Sequence, residues 1–551
     1  MKRLISKLTS ADGKTNFILL LTLFFSLLLT SPKWNVAFIS FCAVFVNLRY
    51  FRNVSFWKAA LFTFFVFFSA SFIANQGVLP FPTTIMISIL FFLSIVHLIP
   101  FILDKWLYKR LPGLLAIWVF PTASLIVGSF IANSPNGTFG HISYNLVDSQ
   151  SLMQLTSVTG IWGIALLIYL FASVANHIME NAENLSIVRS FSIGYGTLFL
   201  VVLIFGFTRV QRGSKAIKNA ETIRLGSVTS HDMDWSKAIH KIVTGETIHF
   251  PKKIDQTSPE LQEFQGSLKV FIEDHDNPKF DSVYSALENY YDEIFASSQK
   301  AVDAGAKAIL LSEGEIVTVE DREDGIIERA QNFARENNIY FFFAMGTIYP
   351  ERMKENQPFI GNKVLSIDTN GDIRDIYYKN VPVAEIDPSI PGDGIIDVIE
   401  TPIANFSPII CYDADFPPMM RQTGNSNSDL ILVATGDWYS ISPYHSKIGA
   451  VRSIENGIPM LKTVSNGLSI SVDPYGNVLS EDDFFADDDH VMITDIPLHR
   501  TKTMYASVGD VLIYLSYIYL GVVVLYLLVL SIIKRIGSSP AKSDANKILP
   551  T

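Results

Sequence analysis

The sequence predicts two unlike bodies in one chain: a multi-span α-helical membrane domain and a layered α/β sandwich. Composition is the first sign. Of 551 residues, 49% are hydrophobic and only 17% charged, with 40 Phe, too apolar for an ordinary water-soluble enzyme. Charge is the second. Residues 221–510 hold 23 Lys+Arg against 47 Asp+Glu, while the remainder holds 20 against 6. An acidic, water-facing block therefore lies between basic, apolar flanks. This division excludes a disordered tail protein, a single soluble domain and a typical nucleic-acid binder, whose globular part should be basic.

Apolar runs predict helices in the flanks. A membrane domain over residues 1–210 holds spans near 16–31, 34–48, 57–75, 83–103, 112–132, 157–178 and 190–208, and a last span covers 510–533. The first two are short enough to form a shallow hairpin in place of two crossings. No small-residue cleavage site precedes a soluble stretch, so no cleavable signal peptide is expected. Basic residues in the short loops give the orientation. With the N-terminus in the cytoplasm, the inside segments collect Lys2, Arg3, Lys7, Lys14, Arg49, Arg52, Lys58, Lys105, Lys109, Arg110, Arg189, Lys534, Arg535, Lys542 and Lys547. The short outside loops collect Lys33 alone. Arg209, Arg212, Lys215 and Lys218, after the seventh span, break the pattern and are expected at phospholipid headgroups. The acidic block then lies outside, and a tail over 534–551 returns to the cytoplasm.

The block over 220–505 alternates strands and helices. Thr222–Val228, Ala308–Leu311, Ile339–Met345, Phe406–Cys411 and Leu430–Ala434 read as strands. Residues 282–304, 324–336 and 445–457 have helical periodicity. Asn362–Asp368 and Asp372–Tyr378 form a hairpin around Asn370-Gly371, and a second hairpin turns at Asp473-Pro474-Tyr475-Gly476. The acidic run from Glu481 to Asp489 reads as a solvated loop. Of two cysteines, Cys42 lies in an apolar run and reads as a small hydrophobe. No Cys/His spacing suits a metal, and no cofactor motif is present.

Chemistry gathers at strand ends, where ligand sites of α/β sheets form. Cys411 ends an apolar strand in Ile409-Ile410-Cys411-Tyr412-Asp413-Ala414-Asp415-Phe416-Pro417; Glu313 follows Ala308–Leu311, and Lys379 follows Asp372–Tyr378. A carboxylate to take a thiol proton, an ammonium for an oxyanion and a thiol to hold an acyl group form a complete acyl-transfer set. Each residue alone has a bland reading as a structural cysteine or a solvated charge, and spacing does not choose between the two.

The order Glu–Lys–Cys in a mixed α/β block resembles the nitrilase, or carbon–nitrogen hydrolase, superfamily, whose fold is an αββα sandwich. With a multi-span domain before it and one helix after, the chain resembles the apolipoprotein N-acyltransferases of bacterial envelopes from about residue 110 to about 530. Phe139-Gly140 with Gln154–Ile164 and Gly226–Trp235 carry the likeness in the first half. So do Tyr377–Glu385, Cys411-Tyr412-Asp413 with Phe416-Pro417, Gly436-Asp437-Trp438, His445, Arg452–Gly457 and Ser465–Ser469 in the second. The resemblance implies Glu313 as general base, in preference to nearby Glu315, Lys379 as the oxyanion-stabilising cation and Cys411 as nucleophile. It implies Glu385 as a supporting loop carboxylate and Tyr412 and Asp413 beside the nucleophile. Asp413 stands where the family has Glu, one methylene longer. Val383-Ala384 replaces the family's Phe-Gly, and Gly436-Asp437-Trp438 its Asn-Asp-x-Trp. Trp235, Trp438 and His445 are candidate substrate contacts.

The expected reaction moves an acyl chain from a phospholipid donor, through a Cys411 thioester, to the α-amine of a diacylglyceryl apolipoprotein. It takes place at the outer face of a bacterial cytoplasmic membrane, with no cofactor, metal or nucleic acid and with a monomer as the expected state. The rivals are a membrane-anchored amidase using the same triad with water, and an inactive lipoprotein-binding scaffold.

Overall fold

The computed structural model describes residues 13–230, 233–486 and 488–537. Lys2, Arg3, Lys7, Asp487, Lys542, Lys547 and most of the expected 534–551 tail lie outside them. Among the described residues, seven helices are long and apolar enough to cross a membrane: Gly13–Thr30, Phe56–Ala74, Thr83–Arg110, Gly113–Ala132, Ile161–Glu180, Leu185–Ile217 and Val511–Arg535. The second predicted span is a helix of 15 residues, Ile39–Asn53. At 1.5 Å per residue it is about 22 Å long, short of a hydrocarbon core of about 30 Å. It packs on the first and third helices and buries Asn47 and Arg49 as well as apolar side chains. The run after Thr83 is broken near His97, where Pro100 opens a second helical piece, Ile99–Leu107.

The largest difference from expectation is the helix Leu185–Ile217, which runs 33 residues where the apolar run predicts a span over 190–208. Its C-terminal turns carry Arg209, Arg212 and Lys215 beyond the apolar stretch. Arg209 Nε donates to Ser157 Oγ at 3.1 Å, and its guanidinium stacks over the Tyr475 ring at 5.0 Å. At least one of the four pattern-breaking cations is therefore spent on contact with the α/β block rather than left to a headgroup.

Among the described residues that block has twelve strands: β1 Thr222–Val228, β2 Ala308–Leu311, β3 Ile316–Val319, β4 Tyr340–Ile348, β5 Ile360–Ile367, β6 Ile373–Tyr378, β7 Phe406–Ile410, β8 Leu430–Gly436, β9 Met460–Ser465, β10 Leu468–Val472, β11 Val478–Asp483 and β12 Val491–Pro497. They form a seven-stranded sheet in the order β12-β1-β2-β4-β5-β6, with β3 paired to β4, and a five-stranded sheet in the order β11-β10-β9-β8-β7. The inner strands β2, β4 and β8 are mostly Val, Ile, Leu, Phe and Ala and are buried almost throughout, as strands covered on both faces must be, and the edge strand β7 is buried too. Their side chains share one core between the sheets. The helices Asp281–Asp303 and Glu323–Asn337 cover the first sheet, and Tyr444–Asn456 covers the second. This is the predicted αββα sandwich.

Membrane-length helices and sandwich meet over a polar, buried seam. Arg452 bonds both Glu455 and the Tyr144 hydroxyl, and Glu455 Oε1 accepts from the backbone N–H of Ile161 at 3.1 Å. Trp162 Nε1 donates to Asp510 Oδ1 at 2.7 Å. Gly160 at φ +62° lets the Tyr505 ring approach so closely that an added Cβ would lie 2.5 Å from it.

Candidate active site

Three strand ends converge. Beyond β2, Glu313 turns inward; beyond β6, Lys379; beyond β7, Cys411. Lys379 Nζ donates to Glu313 Oε1 at 2.7 Å. Glu313 Oε1 also accepts from Asn362 Nδ2 at 2.8 Å, and Oε2 from the Gly436 backbone N–H at 2.9 Å. The carboxylate is fixed by three donors from three strands. Cys411 Sγ points at the Gly436 carbonyl, 3.8 Å away. Gly436 thus touches both the thiol and the carboxylate that faces it. Glu315, the competing candidate, is buried elsewhere, bonded to Thr229, Ser312, Tyr290 and the Ser230 backbone.

Cys411 starts the short 3-10 turn Cys411–Asp415 with φ +46°. For a residue with a Cβ this left-handed conformation costs about 1–2 kcal/mol. Such strain persists where surrounding structure enforces it, and here it swings the thiol out of the strand. Burial pushes the Cys411 thiol well above its ordinary range; the Glu313 charge adds to this, and Lys379 opposes it. The resting sulfur is a protonated thiol that needs a base at the moment of attack. Lys379 is held well above its usual range: burial opposes its charge, but Glu313, Cys411 and Asp387 outweigh it. It is a permanent cation beside the sulfur.

The carboxylate that completes the lysine's surroundings is one that no motif in the sequence marks. Asp387 Oδ2 lies 2.6 Å from Lys379 Nζ, while Glu385, two residues earlier, is exposed at φ +68° and lines the cavity described below. Lys379 holds Asp387 below the usual carboxylate range against the pull of burial. Asp413 reaches despite its shorter side chain. Its Oδ1 accepts from the Val381 N–H at 2.7 Å, and Oδ2 from the Tyr377 hydroxyl at 2.8 Å and the Asn380 N–H at 3.2 Å. It pins the chain just after Lys379. Burial pushes it up to about 6 in spite of those donors.

Tyr412, next in the turn, donates its hydroxyl to the Pro135 carbonyl at 2.9 Å. Trp438 Nε1 donates to the carbonyls of Gly77 at 2.9 Å and Val78 at 3.2 Å, in the turn before the helix at Thr83. His445 is buried; Nδ1 lies 2.6 Å from Asp437 Oδ1 and Nε2 3.0 Å from Asp415 Oδ2. These carboxylates push it up to about 9 against burial, the largest single influence. Trp235 is half-buried against the sandwich core. It packs edge-to-face on Phe264 at 5.9 Å within the sandwich and is absent from the cavity wall.

That cavity is the feature no motif announces. About 670 Å³ in volume, it opens at Cys411, Tyr412, Trp438 and His445 and continues between the membrane-length helices, where Leu23, Phe67, Leu90, Phe120 and Ile131 line it. Its roof is the loop after Ala132, tied to the nucleophile turn by the Thr138 N–H and hydroxyl, which donate to the Asp415 carbonyl at 3.1 and 2.7 Å.

A carbon–nitrogen hydrolase family model matches residues 277–506. An apolipoprotein N-acyltransferase of Rickettsia bellii is 37% identical over 94 residues, 16% of this chain and 19% of that protein. One from Haemophilus influenzae is 24% identical over 296 residues, 48% of this chain and 54% of that protein. The aligned stretches thus span from about a fifth to about half of these relatives. An amidase from Nesterenkonia sp. matches in structure with a TM-score of 0.34 and 20% identity, over 42% of this chain and 90% of that one. Over residues 277–506 the chain matches the carbon–nitrogen hydrolase family, and among the described residues it also carries seven helices of membrane-crossing length.

Proposed function

We propose that this chain is an N-acyltransferase that moves a fatty acyl chain from a phospholipid to the α-amine of a diacylglyceryl-cysteine lipoprotein. The observation that carries the reading is the cavity, which joins the Cys411 thiol to an apolar channel among the long helices. An amidase acting on small water-soluble amides has no use for such a channel. An acyl chain still part of a bilayer lipid does.

In the first half-reaction Glu313 takes the Cys411 proton as sulfur attacks the ester carbonyl, and Lys379 stabilises the oxyanion. Collapse expels the lysophospholipid alkoxide, which recovers a proton from Glu313 and leaves a thioester on Cys411. In the second, the free α-amine attacks the thioester, Glu313 takes its proton, and the thiolate leaves and is reprotonated. Amines attack thioesters readily, and an apolar wall limits competition from water. Loop charge favours an extracytoplasmic sandwich on a bacterial cytoplasmic membrane, and the names of the Rickettsia and Haemophilus relatives favour lipoprotein acceptors.

Mass spectrometry of a lipoprotein N-terminus from cells with and without this chain tests the reading. Three acyl groups with the chain and two without are expected. Identical N-termini, or release of free fatty acid with no amide formed, would overturn it in favour of a hydrolase.

A further inference from the structure

The cavity over Cys411 has a floor. Along the helix Gly113–Ala132 its wall is a single face, on which Ser124, Val127, Gly128 and Ile131 stand in helical spacing between Phe120 and Ala132. Ala132 leads into the roof loop that Thr138 ties to the nucleophile turn. Phe120 lies about 18 Å below Ala132 at 1.5 Å per residue. Among the described residues no wall residue on this helix lies deeper.

The same depth is closed from three other helices. Phe67, Phe101 and Tyr169 are the wall residues farthest from the sandwich on the helices Phe56–Ala74, Ile99–Leu107 and Ile161–Glu180. Their rings meet Phe120 in a row. Ring centres are 6.2 Å apart for Phe67 and Phe101, 4.8 Å for Phe101 and Phe120, and 5.9 Å for Phe120 and Tyr169. Phe51, fully buried, backs Phe101 at 5.8 Å. One helical turn beyond Phe101, Asp104 is fully buried and accepts from Arg52 on both oxygens at 2.8 Å. The aromatic row therefore rests on a buried ion pair. A hydrocarbon end pushed past the rings would have to part those charges, which is costly.

An acyl chain drawn from a bilayer gains no hydrophobic free energy on entering an apolar chamber, because lipid is as apolar as the wall. Selectivity among chains must come from fit. A chain that is too short leaves space unfilled and forfeits dispersion contacts, and one that is too long must displace packed rings. The depth of about 18 Å is close to the half-thickness of a hydrocarbon core, about 15 Å. The floor thus falls where the methyl end of an ordinary phospholipid chain comes to lie.

We propose that the row Phe67, Phe101, Phe120 and Tyr169 is a length stop, which sets the longest acyl chain that Cys411 accepts. This rests on the proposed function and deepens it by defining the donor: a phospholipid whose chain is no longer than the chamber.

A competition experiment tests it. Full-length protein in detergent receives an equimolar mixture of phospholipids with one headgroup and saturated chains of graded length. The acyl masses carried by the Cys411 peptide are then weighed. Only ratios are read, so a variant that is simply less stable lowers every product alike. In the unaltered protein the products should break off at one length, with the next longer chain disfavoured by about tenfold, the scale of overfilling a packed site. Phe120→Ala should move that break to longer chains. Ser124→Phe, which puts a ring one turn above Phe120 on the same face, should move it to shorter ones. Products without a break in the unaltered protein overturn the proposal whether or not either variant folds. So does an unmoved break in a variant that folds and is acylated. Acylation by no chain of any length overturns the acyl-transfer reading itself, and the stop with it.

Discussion

Individual side chains decide the chemistry here, and their roles separate cleanly by partner. Among the described residues Lys379 is the only cation bonded to Glu313, so Lys379→Met should cut acylation of Cys411 by about 10²–10³-fold, the usual cost of losing an oxyanion donor. Single-turnover labelling with radioactive phospholipid measures it; a loss below about threefold would contradict the role. Asp413→Asn keeps the shape but leaves the Val381 and Asn380 N–H groups facing a neutral amide. It should lower the same rate by loosening the chain that carries Lys379, while Cys411 still reacts with a small alkylating probe. His445 bears a pH prediction. Its folded value, about 9 against an ordinary 6.5, means the native state holds the proton more tightly. The stabilisation is complete below 6.5 and disappears as pH rises through about 9. The gap in melting temperature between the unaltered protein and His445→Gln should therefore narrow across that window. A gap that stays level or widens would contradict the assignment. Glu313, Lys379 and Cys411 were legible because an apolar strand followed by one reactive residue is a local pattern. Asp387, Asn362 and the Gly436 N–H were not. They reach the site only through loop geometry and strand pairing, which no single stretch of sequence encodes.

Elements were read best where one pattern dominates. β1 matches its predicted limits, and the β5–β6 hairpin turns at Asn370-Gly371 as a short polar loop should. The nucleophile strand stops one residue early, because Cys411 adopts a positive φ that the ladder cannot continue. β3 was missed: its four residues follow β2 so closely that they read as loop. The helix Leu185–Ile217 outran its span because hydropathy marks the apolar stretch, whereas helical propensity continues through Arg and Lys. That helix lies hard against the segment Gln150–Met153 at Gly206, where an added Cβ would fall 1.7 Å from the Ser151 carbonyl oxygen. Gly206→Val should therefore destabilise the protein by about 1–3 kcal/mol or more through overpacking. Thermal unfolding in detergent reads the effect, and an unchanged melting temperature would show that the helices are not so closely apposed.

At the scale of the whole molecule, the sandwich and the helices share one cavity, and neither half encloses it alone. The two halves were legible separately, from charge and hydropathy. Their seam was not, because two of its bonds, Arg452 to Tyr144 and Trp162 to Asp510, each join residues more than 300 apart in sequence. Filling the channel tests whether it carries substrate. Val127 lines it from the helix Gly113–Ala132. Val127→Trp should abolish acylation of Cys411 by long-chain phospholipid while a small thiol reagent still labels the sulfur. Equal use of long-chain lipid by this variant would show that the channel is not the route.

The most direct test follows the sulfur itself. The purified protein is incubated with a phospholipid of defined acyl chain, digested, and the Cys411 peptide weighed with and without neutral hydroxylamine. A mass increase equal to that acyl chain, confined to Cys411 and removed by hydroxylamine, is the predicted result. An unmodified Cys411 peptide from protein whose thiol still alkylates, or an acyl group found only on another residue, would contradict it.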